Sequence, residues 1–232
     1  MENAIRVKLD EALDVIADAA REVGRDPGEI TLEAATKTQD AATVRAAIAA
    51  GVTVCGENRV QELCQKLDAF AYDGAEVHFI GHLQTNKINK VVGRVDIIES
   101  IGSMRLLEGV SACATRLERV QDILLEVNIA AEESKSGFAP GELLFAAEQA
   151  MELPGVRLRG LMAIPPVAQD VGANRKFFHQ IYQFYVDIIQ KMGDNRGTIS
   201  CLSMGMSRDY ADAVREGATL VRLGTGLFGP RS

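Results

Sequence analysis

Eight short apolar runs, separated by stretches of helical periodicity, limit more than any other feature what this chain can become. The runs are TLEAATK, VTVCGE, EVHFIGH, DIIESIG, DILLEVNI, VRLRGLMAI, TISCLSMG and TLVRLGTG. Between them lie DAATVRAAIAAG, NRVQELCQKLDAFA, TNKINKVV, MRLLEGVSACATRL, PGELLFAAEQAMEL, GANRKFFHQIYQFYVDIIQKM and DYADAVREGA. Regular alternation of strand and helix calls for a parallel sheet covered by helices. Eight units in a chain of 232 residues fit a closed α/β (β/α)8 TIM barrel, one domain over residues 1–232. A doubly wound open sheet is the rival arrangement. Ahead of the first run, Ile5, Leu9, Leu13, Ile16 and Ala20 recur at three or four. They predict an extra N-terminal amphipathic helix with Gly24 at its C-terminal cap.

The sequence closes on LVRLGTGLFGPRS, in which Gly224, Gly226 and Gly229 spell G-x-G-x-x-G. That pattern normally opens a βαβ unit. Only three residues follow Gly229, so the expected role is the last βα corner of a barrel, with no second domain behind it. Barrels of this class frequently hold phosphate with the loops after strands 7 and 8. Strand 7 runs into SMGMSRDYADAVREG, where Ser203, Gly205 and Ser207 precede Asp209 at the mouth of a short helix. Small residues let backbone approach an anion, hydroxyls donate to it, and a helix N-terminus favours negative charge. Tight turns chosen for their backbone angles are the alternative for each loop.

Closure sets strand 8 beside strand 1, which ends in Lys37. Alternation puts Ala35 and Lys37 on one face and Thr36 on the other. Lys37 reads either as a solvated end-cap or as a partly desolvated amine able to form a Schiff base. Arg222, two residues before Gly224, points inward and needs a partner: a structural carboxylate, or the ring nitrogen of a bound cofactor. Asn58, just after strand 2, is a helix N-cap for RVQELCQKL or a contact to a cofactor ring. A lysine for an aldehyde, hydroxyls and N–H groups for a phosphate, and an arginine for a ring nitrogen describe a pocket for pyridoxal 5′-phosphate (PLP).

The segments ATKT, GENRVQE, HFIGHLQTNK, EVNIAAEESKSGF, GLMAI and SMGMSRDYADAVREGATLVRLGTGLFG resemble the YggS/PROSC family of pyridoxal phosphate homeostasis proteins, from about residue 31 to 229. That family is similar to the N-terminal barrel of alanine racemases and of ornithine decarboxylases, without their β-rich second domain. The resemblance implies a Schiff base on Lys37, phosphate contacts from Ser207, Gly224 and Thr225, and Ser203 and Met204 close to the cofactor. It also implies Arg222 at the pyridine nitrogen and Asn58 beside the ring. There are departures. QDAA stands where the family often has Pro shortly after the lysine. Cys55 stands where it usually has Phe, and Val77 where it often has Trp.

A formal charge of −7 and a pI of about 5.1 argue against a nucleic-acid partner. Cys55, Cys64, Cys113 and Cys201 form no C-x-x-C, and with three histidines no metal site is expected. The charged N-terminus has no signal-peptide core, and no run is long enough to span a membrane. The expectation is a soluble, cytoplasmic monomer that carries PLP, with PLP-dependent apoenzymes as recipients. His82 is expected at the rim, His78 in or behind its strand, and His179 in a structural role. Lys87, Lys90 and Arg94 form a basic run on one helix, and NIAAEESKSGFAP is a candidate lid. Tyr182 and Tyr185 have no expected place in the pocket.

Three functions compete: a non-catalytic PLP-binding protein, a single-domain PLP-dependent amino-acid racemase or decarboxylase, and a Schiff-base aldolase without cofactor. The aldolase leaves Arg222 unexplained. The racemase lacks the second base, a tyrosine supplied in the resembling racemases by the other domain. An arginine at the ring nitrogen also weakens the ring as an electron sink. The binding protein leads, with no catalytic residue.

Overall fold

Each strand pairs in parallel with the next, and the last pairs with the first, so the sheet closes into a barrel. The strands are β1 (Thr31–Ala35), β2 (Val54–Glu57), β3 (Glu76–Phe79), β4 (Ile97–Ile101), β5 (Gln121–Val127), β6 (Val156–Ala163), β7 (Cys201–Met206) and β8 (Leu220–Leu223). The computed structural model describes residues 1–130, 136–166, 170, 172–193 and 198–229. Pairing of Glu33 with Arg222 across the β1–β8 seam excludes the open-sheet alternative. The helices are α1 (Glu2–Glu22), α2 (Ala41–Ala49), α3 (Val60–Asp68), α4 (Met104–Arg116), α5 (Leu143–Glu152), α6 (Arg175–Lys191), α7 (Tyr210–Arg215) and α8 (Thr225–Phe228).

Local chemistry sets the helix ends. The Asp40 carboxylate accepts the Thr43 N–H at 2.7 Å and starts α2, and Ser103 caps α4 through Leu106. At the end of α1, the Gly24 N–H donates to Arg21 and the Arg25 N–H to Ala20, with Gly24 at φ +73°. This is the left-handed cap that glycine makes without steric cost. The Arg25 guanidinium then donates to the carbonyls of Val214 and Ala218, both at 2.9 Å, fastening α1 to the end of α7.

Several expectations shift. Leu13 is exposed, and Ala12 and Ala19 take the buried stripe with Ile5, Leu9 and Ile16. Two successive steps of four residues rotate a position by about 80° around a helix, so Leu13 has drifted off the face that Ile5 begins. TNKINKVV forms a 3-10 helix over Thr85–Lys90, with no side-chain cap at Gln84. Arg94 lies beyond that helix and pairs with Asp68 at 3.2 Å, so the basic run does not occupy a single helix. The candidate lid falls partly on residues 131–135, outside the described residues. Its flank is pinned, with the Asn128 N–H donating to Phe138 and the Phe138 N–H to Glu126.

The core has two parts. The larger lies between sheet and helices and includes the fully buried Leu63, Phe79, Leu107, Leu143 and Phe178. Each such side chain contributes roughly 1.5–3 kcal/mol relative to exposure. Gly205, at φ +90°, brings α7 onto β7; a Cβ there would lie 2.5 Å from that of Ala213. The smaller core fills the barrel, where Ala35, Val54, Leu124, Met162 and Leu220 are buried apart from the main cluster. Charged groups share that interior, and they point towards the site.

Candidate functional site

At the C-terminal mouth of the barrel, the corners after β7 and β8 touch. The Ser207 hydroxyl accepts the N–H groups of Gly224, at 3.3 Å, and Gly226, at 3.1 Å. Gly226 keeps this approach open, since a Cβ there would lie 3.3 Å from Ser207 Oγ, and Gly224 lies beside Ala35, whose Cβ would be 3.6 Å from one added there. Thr225 is exposed as the first residue of α8. Two backbone donors and two hydroxyls, Ser207 and Thr225, thus collect at one rim. That donor set matches the needs of a phosphate group.

β1 ends at Ala35, and Lys37 is the second residue beyond it, half-buried. The strand alternation survives past its end. Ala35 packs next to Gly224, while Thr36 turns to the other face, where its hydroxyl donates to the Gly56 carbonyl at 3.1 Å. Asn58 is half-buried after β2, one residue ahead of the α3 cap, which is Arg59. The helix-cap reading of Asn58 therefore fails, because the chain enters the helix one residue later. Gly81 explains the position of Asn58: a Cβ there would come within 2.0 Å of the Asn58 carbonyl oxygen, so only glycine lets the loop after β3 close over it.

Beneath this mouth, inside the barrel, four charged side chains from four strands meet. Arg222 is buried and donates to Ser203 Oγ and, at 2.9 Å, to the Ala163 carbonyl. Its guanidinium lies 3.6 Å from Glu99, which also accepts the Ser203 hydroxyl at 2.6 Å. His78 Nδ1 meets the other Glu99 oxygen at 2.8 Å. Glu33 lies 3.7 Å from His78 Nδ1, an ionic separation too long for a hydrogen bond, and among the described residues neither of its oxygens has a hydrogen-bond partner. Gly56 makes room for it: a Cβ would overlap Glu33 Oε1. The carboxylate expected as one alternative partner of Arg222 is thus present, as Glu99. Ser203 faces this interior, whereas the next residue, Met204, is buried in the sheet–helix layer.

The electrostatics follow from this packing. Burial pushes the Glu33 carboxyl up to about 7, and the Glu99 carboxylate beside it adds to the rise. Burial opposes a charge on His78, but Glu33, Glu76 and Glu99 around it raise its pKa well above the ordinary value. Burial likewise disfavours the Glu99 anion, yet His78, Arg222 and Ser203 outweigh it and hold that carboxyl below its usual range. Glu33, His78 and Glu99 also bring three potential metal-ligand atoms together, a juxtaposition that their separation in sequence hides. Arg222 and His78 face the two carboxyl groups, so each acidic group of the cluster has a basic neighbour within the protein.

On the opposite face of the sheet, towards α3, lies a second buried cluster. Lys66 Nζ donates to Glu57 at 2.5 Å and to the Thr36 carbonyl at 2.8 Å. The other Glu57 oxygen accepts the Asn58 N–H at 2.8 Å, and the Tyr72 hydroxyl approaches Glu57 at 3.4 Å. Neither cluster is evident from a motif. The available signal was a charge interrupting an apolar strand, as Glu33, Glu57 and Glu99 each do.

The remaining histidines stay outside. His82 is exposed at the rim, and His179 is exposed on α6, 3.3 Å from Glu216. Tyr182 packs against Gly217, and Tyr185 donates to the Ile199 carbonyl.

The chain matches the family described as alanine racemase, N-terminal domain, over residues 32–232. The pyridoxal phosphate homeostasis protein of Aquifex aeolicus (strain VF5) is 38% identical over 224 residues, covering 97% of each chain. The crystal structure of an unknown protein from Bifidobacterium adolescentis superimposes with a TM-score of 0.91 at 37% identity, covering 98% of this chain and 95% of that one. PipY of Synechococcus elongatus PCC7942, solved with PLP bound, has a TM-score of 0.77 at 34% identity, covering 92% of this chain and all of that one, 100%.

Proposed function

The chain belongs to the family of the pyridoxal phosphate homeostasis proteins, and from that membership we propose that it binds PLP and holds it for delivery rather than using it in turnover. The observation that carries the reading is the meeting of the β7 and β8 corners. There, Ser207 and the N–H groups of Gly224 and Gly226 converge beside the end of β1. In this reading Ser207, Gly224 and Thr225 take the phosphate. Arg222 serves the ring nitrogen, with Ser203 fixing its guanidinium and Met204 supporting the strand from behind. Asn58 lies against the ring, and Lys37 is the attachment point.

When bound, PLP supplies an aldehyde that condenses with a primary amine and releases water. The residues of the chain bind and orient. Ser207 and the glycine N–H groups fix the anionic end. Arg222 is a permanent cation, so a ring nitrogen beside it stays unprotonated. Glu99 holds Arg222 in place through charge and through Ser203.

Non-catalytic action has support in the same geometry. Of the four tyrosines, three are engaged elsewhere, Tyr72 against Glu57, Tyr182 against Gly217 and Tyr185 against Ile199, while Tyr210 opens α7 just beyond the β7 corner. A pocket that offers no second base opposite Lys37 would forgo general acid–base help of about 10²–10⁴-fold in two-sided proton transfer. PLP-dependent apoenzymes are the proposed recipients. The proposed carrier is a monomer. All four cysteines are free, which fits a reducing cytoplasm. Among the described residues no helix is long and apolar enough to cross a membrane.

The test is to incubate the purified protein with PLP, remove the excess and record the absorption spectrum. The holo-protein is then mixed with each common L-amino acid, and D-isomer, amine and keto acid are followed. A stable visible-edge band with no efficient turnover is expected. Turnover near the roughly 10 s⁻¹ median of enzymes, abolished by Lys37→Ala, would make the protein an enzyme.

A further inference from the structure

The backbone around Lys37 is held from behind. Lys66 projects from α3 into the sheet–helix layer, where its side chain is 7% exposed and that of its partner Glu57 is fully buried. Its ammonium donates to the carbonyl of Thr36, the residue immediately before Lys37, at 2.8 Å. On the other side of Lys37, the Thr38 N–H donates to Glu62 at 3.0 Å. Glu62 lies one helical turn from Lys66, 3.8 Å from its Nζ. Thr38 sits at φ +68°, in the left-handed region that β-branched residues avoid. Such a conformation persists only where its surroundings over-determine it. The carboxylate that partners Lys66 also reaches the other side of the pocket, since its second oxygen accepts the Asn58 N–H at 2.8 Å.

We propose that Glu57, Lys66 and Glu62 are positioning residues for the PLP pocket. One buried ion pair and its neighbouring carboxylate fix the peptide on both sides of Lys37 and tie it to the backbone of Asn58. None of the three is assigned contact with the cofactor; they act through the two residues that are. An ion pair buried to this degree is a poor device for stability, because apolar replacements of similar size often match it. What it supplies is direction. The ammonium and carboxylate specify which carbonyl and which N–H lie where, and an amine displaced by about 1 Å loses roughly a hundredfold in an oriented reaction.

The inference rests on the PLP reading, and the experiment separates the two. Wild type, Lys66→Met, Glu57→Gln/Lys66→Met and Glu62→Ala are compared. Stability is measured by urea unfolding. The rate at which the visible-edge band grows, its maximum, and its loss after dilution are measured with PLP. The single Lys66→Met leaves an unpaired carboxylate and is expected to be unstable; the double variant removes that charge and restores stability. The double variant is nevertheless expected to form the band at least about tenfold more slowly and to hold it less well, with a shifted maximum. Glu62→Ala, near the surface, is expected to slow band formation while unfolding as wild type does. A double variant with wild-type stability, rate and retention would overturn the inference. If the double variant does not fold, wild-type kinetics in Glu62→Ala overturn it instead. Failure of the wild type itself to form the band would overturn the PLP reading and this inference with it.

Discussion

Two buried charge clusters lie on opposite faces of the barrel sheet, and they are built on opposite terms. Inside the barrel, Glu33 has no hydrogen-bond partner for either oxygen among the described residues, and its charge depends on the surrounding field. Outside, both Glu57 oxygens are engaged, and Lys66 spans Glu57 and the Thr36 carbonyl. The inner cluster faces Arg222, beneath the mouth; the outer one grips the backbone of residues 36 to 38. A buried network left partly unsatisfied can change its protonation state, whereas one fully satisfied resists any change that removes a partner. In the proposed reading the two faces divide the work: the interior would set the charge beneath the cofactor, and the outer layer the position of Lys37.

The largest way to break this contrast is to remove one outer partner. Lys66→Met strands Glu57 as an uncompensated buried anion and is expected to cost about 3–5 kcal/mol in urea unfolding. A loss under about 1 kcal/mol would show that the outer cluster is no more committed than a surface pair.

A titration sharpens the inner half. The folded pKa of Glu33, about 7, stands above its ordinary 4.5. Its contribution to stability is therefore complete below pH about 4.5 and lost as pH rises through about 7. His78, also raised, acts in the same direction, its contribution complete below pH about 6.5 and lost at higher pH. Glu99, held low, acts oppositely, and its contribution is lost on acidification. Glu33 should thus make stability decline between about pH 4.5 and 7, and Glu33→Gln, a permanently neutral stand-in for the protonated acid, should flatten that decline by roughly 1–3 kcal/mol. An unchanged slope in the variant would place the titration elsewhere.

The smallest effect on folding is expected at the rim, which belongs to neither cluster. Thr225→Ala should leave unfolding within about 0.5 kcal/mol, and Ser207→Ala, which gives up the bonds from Gly224 and Gly226, should cost about 0.5–1.5 kcal/mol. PLP retention should fall roughly tenfold to a hundredfold, the worth of a hydrogen bond to a charged group. Retention of pyridoxal equal to that of PLP in wild type would remove the rim as the anion site.

The barrel was legible because alternation and chain length leave few options, and all eight strands lie within the apolar runs or one residue beyond them. The rim was legible because Gly, Ser and Thr at the ends of two late strands fall where this architecture binds anions. The two charge clusters were not. Glu33, His78, Glu99 and Arg222 sit on four strands, and only barrel closure brings them together. Lys66 resembles any polar residue of an amphipathic helix, yet its stem is buried and its ammonium turns beneath the sheet. Asn58 shows the limit of local rules. It has the chemistry of an N-cap, but the Glu57 carboxylate takes its N–H and the helix begins one residue later.

The central claim is that Lys37 carries the cofactor at the junction of β1 and β8. The most direct test is to treat the PLP-loaded protein with borohydride, digest it and map the modified peptide, with Lys37→Ala alongside. The account predicts one stoichiometric adduct, on Lys37, absent with the visible-edge band from the variant. An adduct on Lys66 or on a surface lysine, or a band that survives Lys37→Ala, would contradict it.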